Sequence, residues 1–302
     1  MRYFLALAIA ASALQASAPA APQRTFASPE EAVRALAAAV KTENLDALVD
    51  IFGPDGRELA DSSDAATARG NRQVFAAAFA EAWRLVDKDA KHKVLVIGNE
   101  DWPFPVPLVN EGNKWRFDTA AGKEEVLDRR IGRNELAVIQ ICRAYFNAQR
   151  RYAEEPHDGK RAGLYATKFG SDPGRQNGLY WPDTRGQKRS PLGDLVAEAA
   201  AEGRPLDENR QPPTPFHGYY FKILTAQGAS AKGGAKSYVV GGDMSGGFAL
   251  VAWPSQYDAT GVMTFLVNQD GVVRQKDLGP GTAATASAMT QFNPDGSWSE
   301  VR

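Results

Sequence analysis

Residues 131–152 read IGRNELAVIQICRAYFNAQRRY, and the spacing of their apolar side chains decides the fold. Leu136, Ile139, Cys142, Phe146 and Gln149 recur at steps of three and four, and Val138, Ile141, Tyr145 and Tyr152 form a second row beside them. Two adjacent rows of this period make a wide apolar face on one helix. Gln140, Arg143, Asn147 and Arg151 leave only a narrow polar stripe. A helix so apolar needs cover on more than one side, which predicts a sheet against one flank and other chain against the other. Asn134 is placed to cap its N-terminus through the side-chain oxygen. Residues 154–159, EEPHDG, cannot prolong it, because proline and glycine interrupt the helical hydrogen bonds.

Upstream, residues 119–133 are charge-rich, with Glu124, Glu125 and Asp128 ahead of Arg129, Arg130 and Arg133. Acids ahead of bases stabilise a solvated helix, so this reads as a charged linker helix feeding the central one. Further back, Ser28 caps a helix with Pro29 at its first position, and Glu31 completes a capping box. Helices follow at 45–52 and 69–86. Strands follow at 93–97, 105–109 and 114–117, the last two joined by the turn Asn110-Glu-Gly-Asn113.

Downstream, the composition shifts to glycine, proline and aromatics. Residues 169–182, FGSDPGRQNGLYWP, read as an ordered loop, because Leu179, Tyr180 and Trp181 need cover. A short helix is expected at 192–201, then a proline-bearing connector at 204–215. Strands are expected at 218–225, at 236–240 continued by 248–253, and at 262–267 with 272–277, with a last hairpin in the tail at 291–302. Gly241-Gly-Asp-Met-Ser-Gly-Gly247 and Asn268-Gln-Asp-Gly271 carry the residues that tight turns demand. The pattern is α+β: a cone-like helix-plus-antiparallel-sheet domain at 21–122, then at 123–302 a long helix packed on an antiparallel β-meander.

The helices-then-sheet order, with the strand GNKWRF, resembles the nuclear-transport-factor-2-like fold, whose members include enzymes as well as binding and dimerising modules. The remainder resembles the head of pilins and pseudopilins, although the matching helix here is internal and carries Arg143, Arg150 and Arg151. The phrases WPFPVPLV, GNKWRFDTAAG, RRIGRNELAVI, NGLYWP with SPLG, FHGYYFKIL and GVMTFLVNQDGVVRQKDLG resemble the exported bacterial family called domain of unknown function 2950. That resemblance implies a secreted protein with no assigned activity, so no family catalytic residues carry over.

Composition narrows the functional classes. The chain has 302 residues, 43% hydrophobic and 24% charged, with a formal net charge of −1. That balance gives no global field for nucleic acid or an anionic membrane. Arg2, the apolar run at 3–14 and Ala18-Pro19-Ala20 form a signal peptide over residues 1–20, with Ala21 as the new N-terminus. The expectation is an exported soluble protein, periplasmic or secreted, without a transmembrane anchor. The lone cysteine, Cys142, lies in the apolar rows and reads as core.

No catalytic or metal-binding constellation is legible, and no cofactor is implied. His92, His157 and His217 are isolated in sequence, and Asp158, Asp172 and Asp183 do not follow calcium-loop spacing. Gly242-Asp-Met-Ser-Gly-Gly247 reads as a hairpin turn rather than a hydrolase nucleophile loop. The candidate ligand-binding residues are Tyr180, Trp181, His217, Tyr219 and Tyr220, aromatics near glycine or proline that suit a sugar or peptide platform. The reading is therefore a non-catalytic binding or interaction module, its partner an envelope protein or a small ligand. The alternative is a periplasmic hydrolase or transferase assembled only in the fold, with His217 reaching an acid such as Asp243 and Ser245.

Overall fold

A computed structural model describes residues 22–60, 65–183, 188–201 and 214–301 of the chain. Residues 1–20, expected from the sequence to be a signal peptide, and most of the 204–215 connector lie outside the described residues. The chain divides into two compact units, and the division falls between Val126 and Leu127.

In the first unit, local sequence rules dominate. Helix α1 (Pro29–Lys41) starts where Ser28 Oγ accepts the Glu31 N–H at 3.1 Å. Glu31 reaches back one residue further than expected, to the N–H of Ala27 at 3.1 Å. Helices α2 (Leu45–Phe52), α3 (Arg57–Ala60) and α4 (Ala65–Glu81) follow. The third predicted helix ends early, because Trp83-Arg-Leu-Val-Asp87 takes up strand pairing as β1. Strand β1 runs antiparallel to β2 (His92–Ile97), with Trp83 opposite Ile97 and Asp87 opposite Lys93. Alternation with period two and bulky aromatic and β-branched residues favour that pairing over another helical turn.

Strands β3 (Trp102–Pro103), β4 (Leu108–Glu111) and β5 (Lys114–Phe117) complete an antiparallel sheet in the order β1-β2-β4-β5, with β3 beside β2. The helices and sheet enclose Val33, Leu36, Ile51, Phe52, Leu95, Leu108 and Phe117. Phe52 meets Phe117 edge-on at 5.4 Å, and Phe79 stacks on Trp83 at 5.7 Å.

The charged segment and the apolar one form a single helix, α5 (Thr119–Ala153). Asn134 is therefore not an N-cap: it lies well inside α5, and its Nδ2 donates to the Thr260 carbonyl at 2.8 Å. Nothing between 119 and 134 breaks a helix, since its two glycines, Gly122 and Gly132, stand apart and an isolated glycine is tolerated. Leu136, assigned to the apolar row, is 65% exposed. Of the remaining row residues, Val138, Ile139, Ile141, Cys142, Tyr145, Gln149 and Tyr152 are buried and Phe146 is half-buried. Burial pushes the Cys142 thiol up to about 12, which suits a core residue and not a nucleophile.

In the second unit, α6 (Gly193–Ala201) precedes the strands β6 (Tyr219–Leu224), β7 (Ala226–Gln227), β8 (Lys236–Ser237), β9 (Val239–Val240), β10 (Asp243–Met244), β11 (Ala249–Pro254), β12 (Met263–Asn268) and β13 (Arg274–Asp277). Helix α7 (Thr282–Ser287), which sequence periodicity did not reveal, and β14 (Ser299–Glu300) end the chain. The main sheet is antiparallel, in the order β14-β13-β12-β11-β6. The stretch expected as one strand at 236–240 and 248–253 is split: β8 pairs with β7, β9 with β10, and only β11 enters the main sheet. The tail makes no separate hairpin, since β14 adds to β13.

Helix α5 meets this sheet and the loop after it together. Tyr145 Oη donates to the Ala249 carbonyl at 3.1 Å, and its ring lies 6.0 Å from Phe169. Glu135 Oε1 accepts the N–H groups of Val262 and Met263, each at 2.9 Å.

Candidate functional site

A 35-residue helix ends in four carbonyls without helical partners, and the chain leaving α5 supplies several donors. Asp158 and Gly159 both adopt positive φ, 51° and 76°, which turns the chain sharply enough for the Lys160 N–H to reach the His157 carbonyl at 2.9 Å. His157 folds back so that its ring stacks on Tyr152 at 4.1 Å, with Nε2 3.0 Å from the Tyr152 carbonyl. A carbonyl only accepts, so Nε2 carries the proton, and in the neutral ring Nδ1 is an acceptor. Nδ1 is enclosed and has no hydrogen-bond partner among the described residues. Next, the Gly163 N–H donates to the Ala153 carbonyl at 2.8 Å.

The loop is then tied down twice more. Tyr165 N–H donates to the Met244 carbonyl at 2.8 Å. Ala166 is held by one side chain on both sides of its backbone: its N–H donates to Gln149 Oε1 at 2.9 Å, and Gln149 Nε2 donates to its carbonyl at 2.8 Å. The buried amide thus acts as a neighbouring strand would.

Between this loop, residues 168–177 and the β9–β10 hairpin lies an open cleft of about 260 Å³. Lys160, Arg161, Lys168 and Arg175 line it with Glu155, Asp158 and Asp243; Tyr165, Thr167 and Met244 contribute further surface. Most of the charges are paired. Lys160 bonds Asp243, Lys168 bonds Asp172, Lys188 bonds Glu155, and Arg175 Nε lies 2.8 Å from Asp158. For Asp158, burial raises the carboxyl's pKa, but the Gln176 N–H and Arg175 outweigh it, and the net direction is down. Lys168 and Asn177 hold Asp172 below the usual carboxylate range, and Lys188 does the same for Glu155. Burial, and then the charge of Asp158, pushes the Tyr152 phenol up to about 12, so it stays a neutral donor to the Gln176 carbonyl.

The five residues predicted to bind a ligand do not line this cleft. Trp181 is 4% exposed, its indole N–H donates to the Lys188 carbonyl at 3.1 Å, and its ring backs His157 at 5.6 Å. Tyr219 is fully enclosed, and its hydroxyl donates to the Met263 carbonyl at 2.9 Å. Tyr180 pairs with Gly170, and Tyr220 packs against Trp253 at 5.9 Å. His217, at φ 46°, faces the Phe216 ring at 4.3 Å and makes no hydrogen bond to an acid or to Ser245 among the described residues. Asp243 is engaged with Lys160 instead.

The cleft residues gave little sequence signal, since they are charges in an irregular loop. Two clues were present: a glutamine in an apolar row, and a basic pair set between glycines in GKRAG.

Among the described residues no group of three or more His, Cys, Asp or Glu could hold a metal ion, and no helix is long and apolar enough to cross a membrane. Fold and cleft together define an α+β protein with antiparallel sheets and a loop-built pocket at the end of its longest helix. The chain belongs to the family described as "Protein of unknown function (DUF2950)", which matches residues 23–301. No curated protein and no solved structure matches it, so the two fold resemblances drawn from the sequence gain no support.

Proposed function

We propose that the chain is an exported envelope protein that works by binding a small ligand in the cleft beside α5, without chemistry of its own. The observation carrying this reading is the division of labour among the cleft's polar groups. The ion pairs and the Gln149 clamp fix the walls. Among the described residues, the Arg161 guanidinium and the Tyr165 and Thr167 hydroxyls have no side-chain partner and are left to meet a solute. Walls fixed in advance spare a ligand the cost of ordering them. The volume of about 260 Å³ falls below the roughly 300–1,000 Å³ of pockets for drug-sized molecules, which favours an occupant of monosaccharide or amino-acid size.

The test is the thermal unfolding of the mature protein with and without a small-molecule extract of the cell envelope. The wild type is expected to be stabilised, and Thr167→Trp, which fills the cleft, is not. Equal melting of the wild type with and without extract overturns the reading. Export is checked by fractionation, with a mature N-terminus at Ala21 expected and an uncut cytoplasmic chain as the contrary result.

A further inference from the structure

The cleft's charges do not balance, and the imbalance sits on one side chain. Four basic and three acidic residues line it. Lys160 and Arg175 are each matched by an acid of the lining, and Lys168 by Asp172 just outside it. Glu155 is taken by Lys188 from outside. Among the described residues, Arg161 alone of the lining cations has no carboxylate partner; its one hydrogen bond there runs from Nη1 to the neighbouring Ala162 carbonyl at 3.1 Å.

Arg161 also has room against its own loop. Gly163 has φ +85°, and a Cβ there would stand 3.2 Å from Arg161 Nη1, so the glycine lets the guanidinium lie back on its own loop. Its remaining N–H groups have no acceptor among the described residues. A guanidinium edge with two parallel donors is the natural partner of a carboxylate. Each of the three acids lining the cleft is already engaged, so a cationic solute would find only paired acids there, whereas an anion meets an unpaired guanidinium.

Two features narrow the anion. The cleft adjoins the C-terminal end of α5, whose carbonyls give a negative field, and Arg161 is its one unpaired cation among the described residues, so one negative charge is matched there and a second is not. Tyr165 and Thr167 line the cleft, and their hydroxyls have no hydrogen-bond partner among the described residues, so the occupant should carry hydroxyl groups.

We propose that the cleft takes a small hydroxylated monocarboxylate of uronic-acid size, with Arg161 clamping its carboxylate. This rests on the cleft being a ligand site and adds the class of ligand.

The experiment is calorimetric titration of the mature full-length protein with D-glucuronate, D-gluconate, D-glucose and inorganic phosphate, repeated on Arg161→Lys and Arg161→Gln. One or both carboxylates are expected to bind the wild type at least about tenfold more tightly than glucose or phosphate. Arg161→Lys, which keeps the charge but loses the paired donors, should weaken that binding about tenfold, and Arg161→Gln should abolish it. Thermal melts of both variants should match the wild type, because Arg161 is exposed. Glucose binding as well as glucuronate, indifferent to Arg161, overturns the carboxylate clamp while leaving the cleft as a ligand site. Phosphate outcompeting the carboxylates overturns the monoanion argument. Binding of none of the probes overturns the ligand class; stabilisation of the wild type by envelope extract then still decides whether the cleft binds anything.

Discussion

The two units solve the same problem, burying a mixed sheet-and-helix core, by different means. In the first, Thr119 is the one fully buried polar residue among those described, its hydroxyl spent on the Phe52 carbonyl at 2.6 Å, and the core is a packing of Phe52, Phe104, Phe117 and aliphatics. In the second, Gln149, Ser190, Gln227, Thr264, Asn268 and Thr282 are all buried. Several act as clamps on irregular backbone: Gln149 on Ala166, and Gln227 on the Lys232 and Gly234 carbonyls at 2.9 and 2.7 Å. Regular elements satisfy most of their own backbone groups, so the first unit relies mainly on greasy contact, with Gln23 Nε2 donating to the Ile51 and Phe117 carbonyls at 2.9 and 2.8 Å. The second carries long loops through its interior, and their N–H and C=O groups must find side-chain partners.

The sharpest way to break this contrast is Gln149→Leu. The volume is kept, but the buried Ala166 N–H and carbonyl lose their partners, and Tyr145 Oη loses the donor at 3.0 Å. Each orphaned group costs about 1–3 kcal/mol, so a loss of about 4 kcal/mol is expected in the second unit. Hydrogen-exchange mass spectrometry across a urea series reads the two units separately and checks it. A smaller effect, about 3 kcal/mol, is expected from Gly178→Ala, because a Cβ there would lie 2.5 Å from the Gly170 carbonyl oxygen where the loop doubles back on itself. In the first unit, Phe117→Leu trades one apolar group for another and should cost only about 1.5 kcal/mol by the same measurement. If it rivals Gln149→Leu, the contrast fails.

The smallest effect concerns acid. Asp158 titrates below its unfolded value, so its contribution to stability is fully present above about pH 4 and is lost as pH falls through its folded pKa. Asp158→Asn should trail the wild type by at most about 1 kcal/mol at pH 6, and the gap should close below pH 4 in urea melts taken across that range.

The same contrast explains what could be read from the sequence. Caps, periodicity and turn residues located α1, α2, β2, β5 and the end of α5, because those signals act within a few residues of one another. The α+β class and the long helix beside an antiparallel sheet were legible for that reason. Asn134 misled because its partner, Thr260, lies 126 residues away. The aromatics singled out for binding were conspicuous by type, but Trp181 and Tyr219 spend their polar atoms on carbonyls inside the core. The cleft itself was not legible: its members come from the α5 exit loop, the 168–177 loop and the β9–β10 hairpin, and only tertiary contacts assemble them.

The Gln149 clamp also bears on the order in which the molecule takes shape. Its partner is 17 residues along the chain, whereas the Glu135 bonds to Val262 and Met263 span 127 and 128. Closing the shorter circuit sacrifices about 2 kcal/mol less chain freedom. The helix can therefore gather the segment that bears the cleft before the distant strands arrive, and the sheet would dock onto a rod already dressed with its loop.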